Sequence, residues 1–184
     1  EEQGLLTQEI IQLLDRQHYQ ARELNDQFAS DVFTRYLKLL DPQRSYLSKA
    51  DLAPFKYLNS ELDDLLAKGD LVAMGELYNL LQQRRLAFID YSLTLLAIEG
   101  PIFNFELLED ISTSSLDDPR VKDLVAIKDT WSKQLKNEFI NGQLDNETAE
   151  QIKQRLLKRY TTMRKRVVQV ELRDAYQVVS NSIT

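Results

Sequence analysis

No cysteine occurs in the 184 residues, and that one absence removes disulfides, thiolate nucleophiles and Cys-ligated metals together. It leaves the compartment open, because a cysteine-free chain suits an oxidising environment as well as a reducing one. Chain breakers are scarce too: the sequence holds 5 Gly and 4 Pro, about 5% together against roughly 12% in average usage. So few leave little room for the tight turns of an all-β protein. Long apolar runs are also missing. Stretches such as Leu93 to Ile98 are broken by Thr94, far short of the roughly 20 residues needed to cross a bilayer, and no transmembrane segment is expected. The chain opens Glu1-Glu2-Gln3-Gly4 without an initiator Met or a positive-then-apolar leader. It reads as a processed or excised piece from which any signal peptide has gone.

What is abundant is leucine. Leu occurs 31 times against 19 for Val and Ile together, so most of the apolar residues are of the kind that lose little rotamer freedom in a helix. Composition therefore predicts an all-α fold, and the length a single multi-helix, bundle-like domain over 1–184 with one long central helix. Leu6, Ile10, Leu13 and Leu14 form a first stripe at helical spacing; Phe28, Val32, Phe33, Tyr36, Leu37 and Leu40 form a second, stopped by Asp41-Pro42. Ser48 and Asp51 predict a capped helix carrying Leu52, Phe55, Leu58, Leu62, Leu65 and Leu66, kinked or delayed by Pro54 and closed by Gly69 as C′ residue. Asp70 caps the longest pattern, Leu71 to Glu99, a rod of about 43 Å.

Residues 100–118 read as an irregular connector whose aromatics, Phe103 and Phe105, dock on the bundle. Asp118 as N-cap with Pro119 at the first helical position predicts a helix through Val121, Leu124, Trp131, Leu135 and Phe139, closed by Gly142. Asn146 is expected to cap the next, with Ile152, Leu156, Tyr160, Met163, Val167 and Val170 as its stripe. A last pattern, Ala175, Val178, Val179 and Ile183, runs to Thr184 with no helix stop, so its apolar face is expected to find its cover in further chain.

Candidate chemistry is soon exhausted. Asp15 and His18 share a helix face, but a di-metal bundle needs two such motifs and the chain has one His; a packing or helix-end role suits His18 better. No Ser-x-x-Lys, Gly-x-Ser-x-Gly or glycine-rich phosphate loop occurs. The adjacent carboxylates Asp63-Asp64 and Asp117-Asp118 point about 100° apart on a helix and do not face one substrate. Catalytic, cofactor-binding and metal-ligating residues are therefore assigned to none of the positions. One charge feature stands out. Residues 153–173 carry eight basic side chains against Glu171 alone, a net of +7 in a chain of net −6. Tyr160, the one aromatic there, sits on the apolar stripe, which removes the stacking platform that a nucleic acid needs. The basic helix is expected to pair with the chain's own carboxylates or with another domain, and Arg159, Arg164, Lys165 and Arg166, together with Arg44, are the candidate interdomain or partner contacts.

Four segments carry a resemblance. His18-Tyr19, then Phe28 to Leu40 running into Asp41-Pro42-Gln43-Arg44-Ser45-Tyr46-Leu47, resembles the N-terminal region of the bacterial tail-specific, or carboxy-terminal processing, proteases. Glu76 to Arg85 followed by Tyr91-Ser92-Leu93 is similar to that family's long helix, as are the Trp131-x-x-x-Leu135-Lys136 segment and Leu156-Leu157-Lys158-Arg159-Tyr160. The segments follow the family's order from residue 18 to about 179. The resemblance implies part of a periplasmic serine endopeptidase that cuts proteins bearing apolar C-terminal tails, built from a helical N-terminal domain, a PDZ domain and a protease core with a Ser-Lys dyad. It implies that none of the catalytic residues falls within these 184 positions, and that partners are the chain's own PDZ and protease domains, protein substrates and an adaptor lipoprotein, with no nucleic acid. The role expected here is a non-catalytic scaffold. The alternative, from another class, is an independent helical adaptor that binds a protein through the basic helix or a groove; a repeat of 30 to 45 residues would favour it, and none is found.

Overall fold

The computed structural model describes residues 25–103, 105, 119–168 and 172–183. The stripe Leu6 to Leu14 and His18 lie outside them. Seven α-helices follow one another among the described residues, with no strand: α1 (Asp26–Leu40), α2 (Lys49–Leu52), α3 (Leu58–Ala67), α4 (Val72–Leu96), α5 (Leu124–Leu144), α6 (Ala149–Val168) and α7 (Leu172–Ile183). The all-α class is as expected. Where composition suggests one bundle, the helices gather into two compact units.

The first unit takes residues 1–42, 51–81 and 171–184. The Asn25 side chain accepts the Phe28 N–H at 3.0 Å and so opens α1, whose buried residues Phe28, Val32, Phe33, Tyr36 and Leu40 recur at helical spacing. Asp41 closes the helix by donating its N–H to the Leu37 carbonyl. Pro54 does more than kink the next pattern. It sits in a 3₁₀ turn, Ala53–Phe55, that separates α2 from α3, because a proline ring clashes with the preceding turn of an α-helix. α3 then buries Leu58, Leu62 and Leu66 against α1. It ends on Gly69 at φ 70°, with the Gly69 and Asp70 N–H groups donating to Leu66 and Leu65, the double bond of a Schellman cap. Asp70 accepts the Val72 N–H at 3.0 Å and starts α4.

Tyr36 Oη donates to the Met74 carbonyl at 2.8 Å, which gives a wholly buried hydroxyl its partner and joins α1 to the first turn of α4. Burial, with Tyr78 adding to it, pushes the Tyr36 phenol well above the ordinary tyrosine range. α7 packs on α1, with Val179 and Ile183 buried. Their expected cover from further chain is thus corrected: α1 supplies it.

The second unit takes residues 43–50 and 82–170. Its core is Phe88, Ile89 and Leu96 of α4, Ile127, Trp131, Leu135 and Phe139 of α5, and Ile152, Leu156 and Tyr160 of α6. α4 stops at Leu96, short of Glu99, so the rod is about 37 Å long at 1.5 Å per residue. α5 starts five residues after its expected cap. Asp123 is the N-cap, its carboxylate accepting the Val125 and Ala126 N–H groups, each at 3.1 Å. The reason lies in the segment before it. The Val121 and Lys122 carbonyls accept the Lys49 and Ala50 N–H groups; backbone spent on the open end of α2 is not available for a helix of its own.

Gly142 does not close α5. The helix runs through it to Leu144, and a Cβ at Gly142 would lie 2.6 Å from Ile152 Cγ1, so the missing side chain lets α6 approach. The stop is Asn146, at φ 63°, whose N–H donates to Gln143 while Glu147 donates to Gly142. The cap of α6 is Thr148, two residues past the expected Asn146: its N–H donates to Gln151 Oε1 at 2.8 Å and its Oγ1 accepts the Gln151 N–H at 3.3 Å, a capping box. Phe103 docks as expected, edge-on to Phe139 at 5.5 Å, whereas residues 106–118 of the connector lie outside the described residues.

Candidate interaction surface

The loop after α1 is held by the second unit's core. Trp131 Nε1 donates to the Ser45 carbonyl at 2.7 Å, Gln134 Nε2 to Ser45 Oγ at 3.0 Å, and Arg120 Nη1 to the Leu47 carbonyl at 3.1 Å. Leu47 is buried completely, and the Tyr46 ring meets Phe88 edge-on at 5.7 Å. Segment 41–47 is thereby structural, as its turn chemistry predicts. Arg44 is the residue there expected to reach a partner. It is half-buried, sits at φ 53° and already interacts within the chain.

The basic charge is concentrated on α6, and three of its seven basic side chains are ion-paired within the unit. Arg155 grips Glu147 at 2.7 Å, Arg159 forks onto both Glu138 oxygens, and Arg164 Nε pairs with Asp90 at 2.7 Å. Lys153 donates to the Ile98 carbonyl. These contacts reach α4, α5 and the turns that follow them, so the helix fastens its own surroundings. Burial opposes the Arg159 charge, yet its bonds to Glu138 and to Tyr160 outweigh that and hold its pKa above the ordinary value. Burial likewise raises the Tyr160 phenol, and Arg159 pulls it back in part. Of the predicted contact residues, Arg159 and Arg164 are thus engaged in internal ion pairs. Lys165 and Arg166 are exposed, and among the described residues no carboxylate pairs with either.

Sequence reasoning missed the concavity beside Arg166. Tyr46, Phe88, Met163 and Val167 wall a cavity of about 290 Å³ with Arg85 and Arg166 among its lining. The residues come from three distant stretches of chain, and periodicity assigns the apolar ones to helix stripes without saying which end of a stripe stays open. No group of three or more His, Cys, Asp or Glu able to hold a metal ion occurs among the described residues. None of their helices is long and apolar enough to cross a membrane.

Comparison with known proteins bears on a chain whose buried polar atoms chiefly serve packing. The family model described as Tail specific protease N-terminal domain matches residues 10–184. A tail-specific protease of Haemophilus influenzae is 29% identical over 183 residues, which is 99% of this chain and 26% of that protein. The chain thus spans about a quarter of the length of that relative. With nearly every residue inside the match, the chain belongs to the tail-specific protease N-terminal domain family.

Proposed function

We propose that this chain is the non-catalytic helical scaffold of a periplasmic serine endopeptidase that processes or degrades proteins with apolar C-terminal tails. The observation that carries the reading is the extent of the match: the N-terminal domain family covers residues 10–184, and the aligned region is 26% of the relative. The internal use of polar groups supports it. Trp131, Arg159 and Arg164 spend their donors on the Ser45 carbonyl, Glu138 and Asp90, which positions helices and prepares no nucleophile. In this reading the Ser-Lys dyad and the PDZ groove belong to the rest of the protease. The helical domain holds them and helps to wall the substrate chamber, and an adaptor lipoprotein is a further partner. The periplasmic location rests on the same family resemblance, and a cysteine-free chain suits that compartment.

Incubation of the 184-residue chain with an unstructured protein ending in an apolar tail tests the reading. No cleavage is expected, while the longer protease carrying this chain cuts the same substrate. Turnover by the chain alone that survives removal of contaminating proteases would sink the scaffold role. The three ion pairs of Arg155, Arg159 and Arg164 leave the adaptor alternative less basic surface on α6, of which Lys165 and Arg166 remain exposed.

A further inference from the structure

The cavity beside Arg166 borders the second unit's core, where Tyr46, Met163 and Val167 pack partly buried against it. Its volume, about 290 Å³, lies just below the range of about 300 to 1,000 Å³ that encloses drug-sized ligands, and leaves room for about one or two side chains instead of a whole cofactor. The walls are apolar: the Tyr46 and Phe88 rings, Met163 and Val167. Methionine and aromatic side chains together make an adaptable apolar lining of the kind used at recognition surfaces. Among the described lining residues the charged ones are Arg85 and Arg166. Arg85 lies over the Tyr46 ring, 5.6 Å from its centroid, and Arg166 is exposed on α6.

Arg166 is the exception among the arginines of its helix. Arg155, Arg159 and Arg164 each hold a carboxylate of this chain, whereas among the described residues none pairs with Arg166, although the chain is acidic overall. A guanidinium beside an open apolar concavity is complementary to a carboxylate that arrives next to an apolar side chain. The form of that carboxylate can also be read. Among the described lining residues all but Tyr46 belong to α4 and α6, whose backbone N–H groups are consumed within the helices. Capture of a chain terminus relies on free backbone donors, so the arrangement favours a side-chain carboxylate from an internal segment.

We propose that this cavity is a docking site for an internal segment of a partner protein that presents one apolar side chain beside an aspartate or glutamate. The site deepens the scaffold role by giving it a contact surface of defined chemistry. Binding at the cavity and peptidase activity are measured separately, so failure of one leaves the other standing.

The two methionines provide the readout, since Met163 lines the cavity and Met74 is buried in the first unit. With ¹³C-methyl methionine in the protein, acetyl-Glu-Leu-Leu-Glu-amide is titrated while both methyl resonances are followed. The Met163 signal should move saturably and the Met74 signal should stay. Acetyl-Gln-Leu-Leu-Gln-amide should bind about fivefold more weakly, as should the acidic peptide to Arg166→Gln, the size expected when one rim charge is lost. An unmoved Met163 signal, equal binding of the two amides, or unchanged binding by Arg166→Gln would overturn the proposal. Tighter binding of acetyl-Gln-Leu-Leu-Gln with a free C-terminus than of the acidic amide would overturn it too, by showing a site for chain ends. An unchanged indole resonance of Trp131, the one tryptophan and part of the second unit's own core, establishes that the Arg166→Gln variant is folded.

Discussion

The two units solve the same problem with different residues. The first buries Leu58, Leu62 and Leu66 with Val32, Leu40, Val179 and Ile183, and carries Phe28, Phe33 and Tyr36 along α1, where Tyr36 bonds the Met74 carbonyl. The second turns on aromatics: Phe88 meets Tyr46, Trp131 and Tyr160 edge-on at 5.6 to 5.7 Å, and ion pairs run round its outside. Leucine gives the first unit much of its bulk, and Tyr36 a directed bond. Rings and their polar tips give the second unit direction, because each edge-to-face contact and each N–H or O–H bond fixes an orientation. The difference teaches where to cut.

The largest effect is expected at Trp131, which is fully buried and bonded to Ser45. Trp131→Ala should cost about 3 to 5 kcal/mol in denaturant unfolding. Amide exchange should accelerate across 82–168 more than across α1 and α3 if the units differ in stability. Equal acceleration in both would show that they unfold as one body.

Gly142 comes next. An alanine in a helix gains about 1 kcal/mol over glycine, but here its Cβ meets Ile152, with overpacking worth about 1 to 3 kcal/mol. The clash should win, so Gly142→Ala should lower stability by about 1 to 2 kcal/mol, and by less in an Ile152→Ala background. A stabilised variant would mean that the helices separate at no cost.

Tyr36→Phe should cost about 1 kcal/mol, since it removes the bond to the Met74 carbonyl. Its pH signature sharpens the contrast with the second unit. The folded pKa of Tyr36 lies above the ordinary value of 10.0, so unfolding lets the phenol ionise. The stabilisation is complete below pH 10 and is lost as pH rises beyond it. Melting curves from pH 9 upward should therefore fall more steeply for the parent protein than for Tyr36→Phe. Smallest of all, Asp90→Asn breaks an ion pair whose side chains are each 48% exposed. It should cost under about 1 kcal/mol and be masked by salt.

Much of this fold was legible. Leucine excess and the stripes from Phe28 to Leu40 and from Ile152 to Tyr160 gave the class and the core positions, because helical periodicity reports burial directly. The helix ends were less legible, and for a physical reason. Asp118-Pro119 and Asn146 carry good local start signals, yet the Val121 and Lys122 carbonyls are claimed by the Lys49 and Ala50 N–H groups, and the left-handed backbone at Asn146 ends α5 instead of starting α6. Thr148 and Gln151 did hold a readable capping box. Gly142 looked like a stop because its use, the approach of Ile152, is tertiary. Pairing with carboxylates of the same chain is one of the two outcomes expected of the basic helix, but Arg159 and Arg164 themselves are expected as interdomain or partner contacts, and their carboxylates Glu138 and Asp90 lie on other helices that no spacing names. The cavity beside Arg166 was invisible for the same reason.

The scaffold role is tested most directly in a tail-specific protease that carries this chain, with the Trp131→Phe substitution. Phenylalanine keeps most of the packing but removes the bond to the Ser45 carbonyl, so stability should fall by about 1 to 2 kcal/mol. Peptidase activity is then measured against temperature beside amide exchange of residues 82–168. A scaffold predicts a kcat equal to that of the parent at temperatures where the second unit stays protected, and a loss of activity that coincides with its unfolding. A tenfold drop in kcat in a variant whose second unit remains fully protected would contradict it and place this chain in the chemistry itself.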